Sequence, residues 1–191
     1  MALPRHPFPI GCGAMTRLEI AHTSALDPAV LDAARALLEG VFAGEFEPED
    51  WEHSLGGLHA IVWEDGELVA HGAVIQRRLV HGGRALRTGY VEGVGVRADR
   101  RRRGHGAAVM TALGDVIRRA YDLGALGATD EAVPLYTGLG WRRWEGATYA
   151  LTPEGVRRTA EDDGGVYVLP IAAGLDLRGD LTCDWRDGDA W

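Results

Sequence analysis

Apolar and polar positions first fall into a rhythm at TRLEIAHT, residues 16–23, where alternation predicts a strand. Asp27 then stands as a helix N-cap with Pro28 at the first helical position, and Val30, Leu31, Ala34, Leu37, Leu38 and Val41 recur at helical spacing. A helix from about Pro28 to Phe42 follows. The acidic, aromatic stretch GEFEPEDWEHSLGG, broken by proline and glycine, suits a loop with a short helical turn. Residues 58–96 hold three strand-like runs punctuated by DG and GG, which predicts an antiparallel meander. From Gly106 to Tyr121, Val109, Met110, Leu113, Val116, Ile117 and Ala120 repeat every three or four positions, leaving Asp115, Arg118 and Arg119 outward on an amphipathic helix. A short strand at GALGA, a short helix around EAVPLYTGL and strands near ATYALT and GVYVLPI complete the chain.

With 191 residues, 46% of them apolar, the chain fills one core and falls short of two. Residues 1–15, with three prolines, read as a disordered leader, and residues 16–191 as a single domain. No run is long and apolar enough for a membrane span or a secretion signal, so a cytoplasmic protein without a membrane partner is expected. Cys12 and Cys183 lie near opposite ends with no CxxC pair, and the seven histidines show neither metal-ligand nor triad spacing. Free thiols and no metal are expected.

The formal net charge is −8, and every one of the 20 cationic side chains is arginine. Lysine-based Schiff-base or phosphate-loop chemistry is thereby excluded. Against that balance, Asp99 to Gly106 reads DRRRRGHG between a valine-rich strand and a helix. Such a junction offers free backbone N–H groups and the positive end of a helix dipole to an anion, and its glycines allow close approach. The spacing is neither GxxxxGK[ST] nor GxGxxG after a first strand, so neither a P-loop nor a dinucleotide fold is indicated. A nucleic-acid patch is disfavoured because the rest of the chain has no basic face interleaved with aromatics.

The run Arg101-Arg102-Arg103-Gly104-His105-Gly106, an R-x-x-G-x-G pattern after VEGVGVRAD, resembles the pyrophosphate loop of the GNAT acetyltransferase superfamily. LYTGLGW is a second match, with Tyr136 at the position that faces the coenzyme sulfur. The resemblance implies an α/β fold with a mixed, mostly antiparallel sheet, a splayed central pair of strands and flanking helices. It implies acetyl-CoA as cosubstrate, held by Val94, Val96, Arg101, Arg102, Arg103, Gly104, His105 and Gly106. Coenzyme A carries about four negative charges, which a local arginine cluster in an acidic protein offsets.

The carboxylates are clustered too: Glu45, Glu47, Glu49, Asp50 and Glu52 in one loop, Glu161 to Asp163 in another, and Asp184, Asp187 and Asp189 at the end. Each is at home on a solvated loop, while together they suit a polycationic acceptor amine. The segments GEFEPEDWEHSLGGLHAIVW, AVIQRRL, GYVEGVGVRAD, AYDLGAL and CDWRDGDAW are similar to the aminoglycoside 2′-N-acetyltransferases of mycobacteria and related actinobacteria, from about Leu18 to Trp191. That resemblance implies a homodimer and an acceptor held by Asp50, Glu92, Asp162, Asp189 and the terminal carboxylate of Trp191. Glu45 stands where an aspartate is usual, and Gly127 where a serine contacts substrate, a loss of about 1 kcal/mol.

Acetylation requires an unprotonated amine, attack on a thioester carbonyl and a proton for the departing thiolate. Unbroken alternation from Tyr90 puts Tyr90, Glu92, Val94 and Val96 on one face of a strand. Glu92 there is either the partner of an arginine at the edge of the core or the base that removes the amine proton through a water, assisted by the Trp191 terminus. Tyr136 is expected as the acid, and a backbone N–H near Val94 as the group that polarises the carbonyl. Direct transfer is expected, since neither cysteine has an activating context. The alternatives are the same fold acting on a polyamine or a cell-wall amino sugar, and a protein that binds coenzyme A or an antibiotic without catalysis.

Overall fold

The structure, a computed structural model, describes residues 15–171 and 174–191, so the expected leader lies outside it except for Met15. Met15 is tied to the first hairpin turn: its N–H donates to Asp65 Oδ1 at 3.1 Å, and its carbonyl accepts from the Asp65 N–H. Strand β1 (Thr16–His22) leads into helix α1 (Pro28–Phe42), with Asp27 Oδ1 accepting from the Ala29 N–H at 2.9 Å as the cap. Helix α2 (Pro48–His53) starts with a capping box in which Asp50 Oδ2 accepts from the Glu47 N–H at 2.8 Å.

The expected meander is β2 (Leu58–Glu64), β3 (Glu67–His81) and β4 (Arg84–Val96). Its turns, Asp65-Gly66 and Gly82-Gly83, have positive φ at both central residues, as the twist of a tight hairpin requires. Helix α3 (His105–Ala120) carries the chain back to β5 (Leu123–Gly127), which lies parallel to β4, and α4 (Val133–Gly138) follows. The remaining strands are β6 (Arg142–Arg143), β7 (Thr148–Thr152), β8 (Gly155–Arg158), β9 (Val166–Pro170) and β10 (Leu181–Asp184). The short β6, β8 and β10 were not anticipated from pattern, because none has enough residues to show a period.

Among the described residues ten strands form one mixed sheet in the order β6-β9-β5-β4-β3-β10-β7-β8, with β1 and β2 branching from β3. Two pairings are parallel, β4 with β5 and β10 with β7, and the rest are antiparallel. On one side α3 buries Val109, Met110, Leu113 and Ile117 against Val62, Val74 and Val91. A second core gathers Leu79, Tyr90, Trp144, Leu181 and Trp191. Helix α1 packs on the other side of β4, where a Cβ on Gly95 would meet Leu37, Leu38 and Val41. Asp115, Arg118 and Arg119 face solvent as the helical period requires, and so does Ala120 at the last position of α3. Among the described residues no helix is long and apolar enough to cross a membrane.

Candidate active site

The site begins where two strands separate. β4 and β5 share a ladder only from Thr88↔Leu123 to Tyr90↔Ala125, so among the described residues the backbone of β4 from Val91 onward has no strand partner on that edge. Across its other edge β4 carries a bulge. Ala73 pairs with Glu92 and His71 with Gly95, which leaves Gly72 opposite both Gly93 and Val94. Gly93 has φ of +55°, open to glycine at little cost, and a Cβ there would fall 2.8 Å from Ser54 Oγ.

The bulge corrects the expected alternation. Val91, Val94 and Val96 all pack on the α3 side, whereas Tyr90 belongs to the second core with Glu92 on its side of the strand. One extra residue inverts the faces of everything after it, so Glu92 does not share a face with Val94 and Val96.

A cleft of about 1120 Å³ opens at the splay, lined by Val94, Gly95, Val96, Arg101, Arg102, Gly104, His105, Gly106 and Tyr136. Arg102, at φ +62°, and Gly104, at φ +87°, turn the chain into α3. The first bond within the helix runs from the Ala108 N–H to the Gly104 carbonyl, so the preceding amides of His105, Gly106 and Ala107 have no acceptor in the helix. A Cβ on Gly106 would already touch Leu135 and Val96, so the glycine keeps this wall open. Arg103 is placed elsewhere: its Nη1 donates to Glu64 Oε1 at 3.3 Å, beside Arg100, whose Nε lies 2.8 Å from Glu64 Oε2. The tetra-arginine run therefore divides, with Arg101 and Arg102 toward the cleft and Arg100 and Arg103 on Glu64.

Tyr136 is buried at the cleft wall, and burial pushes its hydroxyl up to about 12. Glu92 is largely buried and paired with Arg186 through Nη1 and Oε1. Burial raises its carboxyl above the ordinary range although Arg186 pulls the other way. Arg186 Nε donates to the Asp189 carbonyl at 2.7 Å, and its guanidinium lies over the Tyr90 ring. Arg77 stacks on the same ring at 4.7 Å while holding Asp184 Oδ1 and the Asp184 and Ala190 carbonyls, which anchors the C-terminal segment.

Trp191 is buried, its Nε1 donating to Thr159 Oγ1 at 3.0 Å. A Cβ on Gly127 would lie 3.5 Å from the Trp191 carbonyl and 3.7 Å from the Tyr90 hydroxyl, so these three residues share one corner. Asp162 feels Asp189, and burial raises its carboxyl. The fold thus gathers Glu92, Asp162, Asp189 and Trp191 around the C-terminal segment. Glu45 lies instead on the wall of the cleft beside Phe42 and Ala43, and Asp50 is engaged in its capping box. Arg186 and Arg77 were missed from sequence; the signal for Arg186 was a cation embedded in the acidic tail DWRDGD. Among the described residues no group of three His, Cys, Asp or Glu side chains is placed to hold a metal ion.

Residues 23–144 match the family model of the acetyltransferase (GNAT) domain. The chain is 49% identical over 187 residues to an aminoglycoside 2′-N-acetyltransferase of Mycolicibacterium fortuitum, covering 96% of each protein. Among solved structures, a GCN5-related N-acetyltransferase from Kribbella flavida superposes with a TM-score of 0.57 at 23% identity, covering 70% of this chain. The chain spans only 34% of that protein's length. A GNAT family acetyltransferase from Brucella melitensis, solved in complex with acetyl-CoA, gives a TM-score of 0.57 at 15% identity over 86% of this chain and 94% of that one. At such identities the structural likeness is one of fold.

Proposed function

The chain belongs to the GNAT acetyltransferases, in the branch of the aminoglycoside 2′-N-acetyltransferases, and from that premise we propose that it transfers the acetyl group of acetyl-CoA to the 2′-amine of aminoglycoside antibiotics. The observation that carries the reading is that one strand, β4, leads from a buried carboxylate, Glu92, through the bulge to the cleft with its open α3 amides. Charge separates the two substrates: Arg101 and Arg102 suit the polyanionic cosubstrate, and the carboxylates around Trp191 suit a polycation.

The residues present fit acetyl-CoA. The helix N-terminus and the two arginines suit its phosphates, and the unpaired edge of β4 offers backbone groups to its amide-bearing arm. The cosubstrate supplies the activated acetyl group. Glu92, with Arg186 holding one of its oxygens, takes the proton that the acceptor ammonium gives up, and the carboxylate of Trp191 assists. The Val94 N–H polarises the thioester carbonyl as the new C–N bond forms and the C–S bond breaks. Tyr136, kept protonated by burial, gives its proton to the departing thiolate, and the second proton lost by the acylated nitrogen restores its hydroxyl. Cys183 is buried, burial raises its thiol to about 11, and its Sγ lies 3.4 Å from the Ala190 carbonyl, a poor setting for a nucleophile and in keeping with direct transfer.

The test is thiol release from acetyl-CoA with tobramycin, which carries a 2′-amine, against kanamycin A, which carries a hydroxyl there. Release with tobramycin alone is expected. Equal release with both would move the acetylated nitrogen, and silence with both would overturn the reading. The reading includes a cytoplasmic homodimer, for which sedimentation velocity gives the mass.

A further inference from the structure

A buried line of hydrogen bonds crosses the protein from the end of β1 to the bulge of β4. The Gly56 N–H donates to Thr23 Oγ1 at 2.9 Å, and Thr23 Oγ1 lies 2.8 Å from His59 Nε2. His59 Nδ1 lies 2.9 Å from His71 Nε2, and His71 Nδ1 lies 2.8 Å from the Gly93 carbonyl oxygen. Neither ring has any solvent exposure, and Trp51 packs on both.

With both rings neutral, the Gly93 end fixes the direction of every bond in the line. A backbone carbonyl only accepts, so His71 carries its hydrogen on Nδ1 and, being neutral, accepts at Nε2. His59 must then donate from Nδ1 and accept at Nε2, which makes Thr23 the donor to it, with its lone pair used by the Gly56 N–H. A hydrogen added to His71 Nε2 while His59 donates from Nδ1 sets two donors against each other, whereas one added to His59 Nε2 turns the Thr23 hydroxyl to its other acceptor, the Gly57 carbonyl at 3.3 Å. While both rings are neutral, the chain is complete only with both in the Nδ1–H tautomer.

What this chain holds is one peptide unit. The Gly93 carbonyl and the Val94 N–H belong to the same planar trans peptide and point in opposite directions. β3 lies on one edge of β4 and β5 on the other, so a carbonyl drawn toward His71 of β3 turns the Val94 N–H toward the β4/β5 opening, where Val94 lines the cleft. The bulge removes this unit from the regular ladder, and Gly93, having no side chain, does not fix its rotation. We infer that His71, braced by His59 and Thr23, is a positioning residue for acetyl transfer, setting through the Gly93 carbonyl the direction in which the Val94 amide meets the thioester. The inference rests on the acetyl-transfer reading for its catalytic consequence, but its geometry stands apart from any acceptor.

Three substitutions separate the two bonds of His71. His71→Asn keeps a donor where Nδ1 stands, His71→Gln keeps an acceptor for His59 but loses the donor to Gly93, and His71→Leu loses both. With tobramycin, His71→Leu and His71→Gln are expected to lower kcat about ten- to a hundredfold with KM for acetyl-CoA little changed, the size of effect expected for a misdirected oxyanion donor. His71→Asn is expected to recover kcat to within about threefold of the parent. A folded His71→Asn, judged by circular dichroism, that is as slow as His71→Leu would overturn the inference, as would His71→Leu with parental kcat. Nitrogen-15 spectra of the imidazoles provide a readout that needs no turnover: both rings should report Nδ1–H, and Nε2–H on either would sink it. Should the parent protein prove silent with tobramycin, the functional reading fails while the Val94 amide resonance still decides this one. It should shift on addition of acetyl-CoA in the parent and in His71→Asn, and an equal shift in His71→Leu would count against the inference.

Discussion

Arg186, on the C-terminal segment, closes its guanidinium on the carboxylate of Glu92 in the middle of β4, joining two residues 94 positions apart in the chain. The proposed base is therefore both the partner of an arginine and a buried carboxylate raised by desolvation. The ion pair holds Oε1, and on the proposed mechanism Oε2 is the oxygen that meets the acceptor. It also opposes the effect of burial, keeping more of Glu92 ionised than its surroundings alone allow.

Replacing Arg186 by Gln removes that opposition. The Glu92 carboxyl should rise further, and because the base must be ionised, the acidic limb of kcat/KM should move to higher pH. Stability should fall by about 3–5 kcal/mol, since a largely buried carboxylate loses its partner. A pH–rate profile together with a urea titration checks both, and an unmoved acidic limb would remove Arg186 from the account.

Tyr136 packs its ring near Trp141, with centroids 6.4 Å apart, and burial alone accounts for its raised hydroxyl. Tyr136→Phe keeps the ring and loses only the proton. Turnover at saturating substrate should drop roughly 10²- to 10³-fold, with the melting temperature held. Unchanged turnover would eliminate Tyr136 as the acid.

Arg102 combines a cleft-facing position with a left-handed φ of +62°. Arg102→Gly should therefore separate binding from folding. Stability should hold or rise slightly, because glycine takes this conformation without strain, while KM for acetyl-CoA rises about tenfold on loss of a charge-assisted phosphate contact. Steady-state kinetics at low and high salt read the effect, and the difference between the two proteins should shrink as salt screens the charge.

The His59–His71 pair makes stability pH-dependent. Burial lowers both rings from 6.5 to about 4; His22 adds repulsion on His59, while on His71 the Gly93 carbonyl pulls the other way and His59 adds repulsion. A group depressed on folding contributes stability above its unfolded value and loses it as pH falls. The protein should therefore weaken from about pH 6.5 down toward about pH 4, by up to about 3 kcal/mol per ring. Thermal melts across that window measure the slope, which should flatten in His71→Leu. An equal slope in that variant would place the lost stability elsewhere.

Much of this protein was legible in its sequence because the signals are local. Asp27 and Pro28 opened α1, the DG and GG pairs made the two hairpin turns, and the order of strand, arginine-glycine loop and helix marked the proposed anion cradle. Each depends on residues within a turn of one another, where steric preference and hydrogen bonding act without help from the rest of the chain. Gly93 and Gly95 permit a bulge but do not say which residues it would turn over, since a bulge is defined against the opposite strand. Only the pairing of β4 with β3 put Glu92 on one side and Val94 on the other. The same holds for Arg103 on Glu64, Arg186 on Glu92 and His71 on Gly93, contacts across 39, 94 and 22 residues. The sequence by itself determined the elements and the kinds of chemistry available; the tertiary structure alone decided which charges meet, because long-range pairing follows from how sheets and helices close around a shared core.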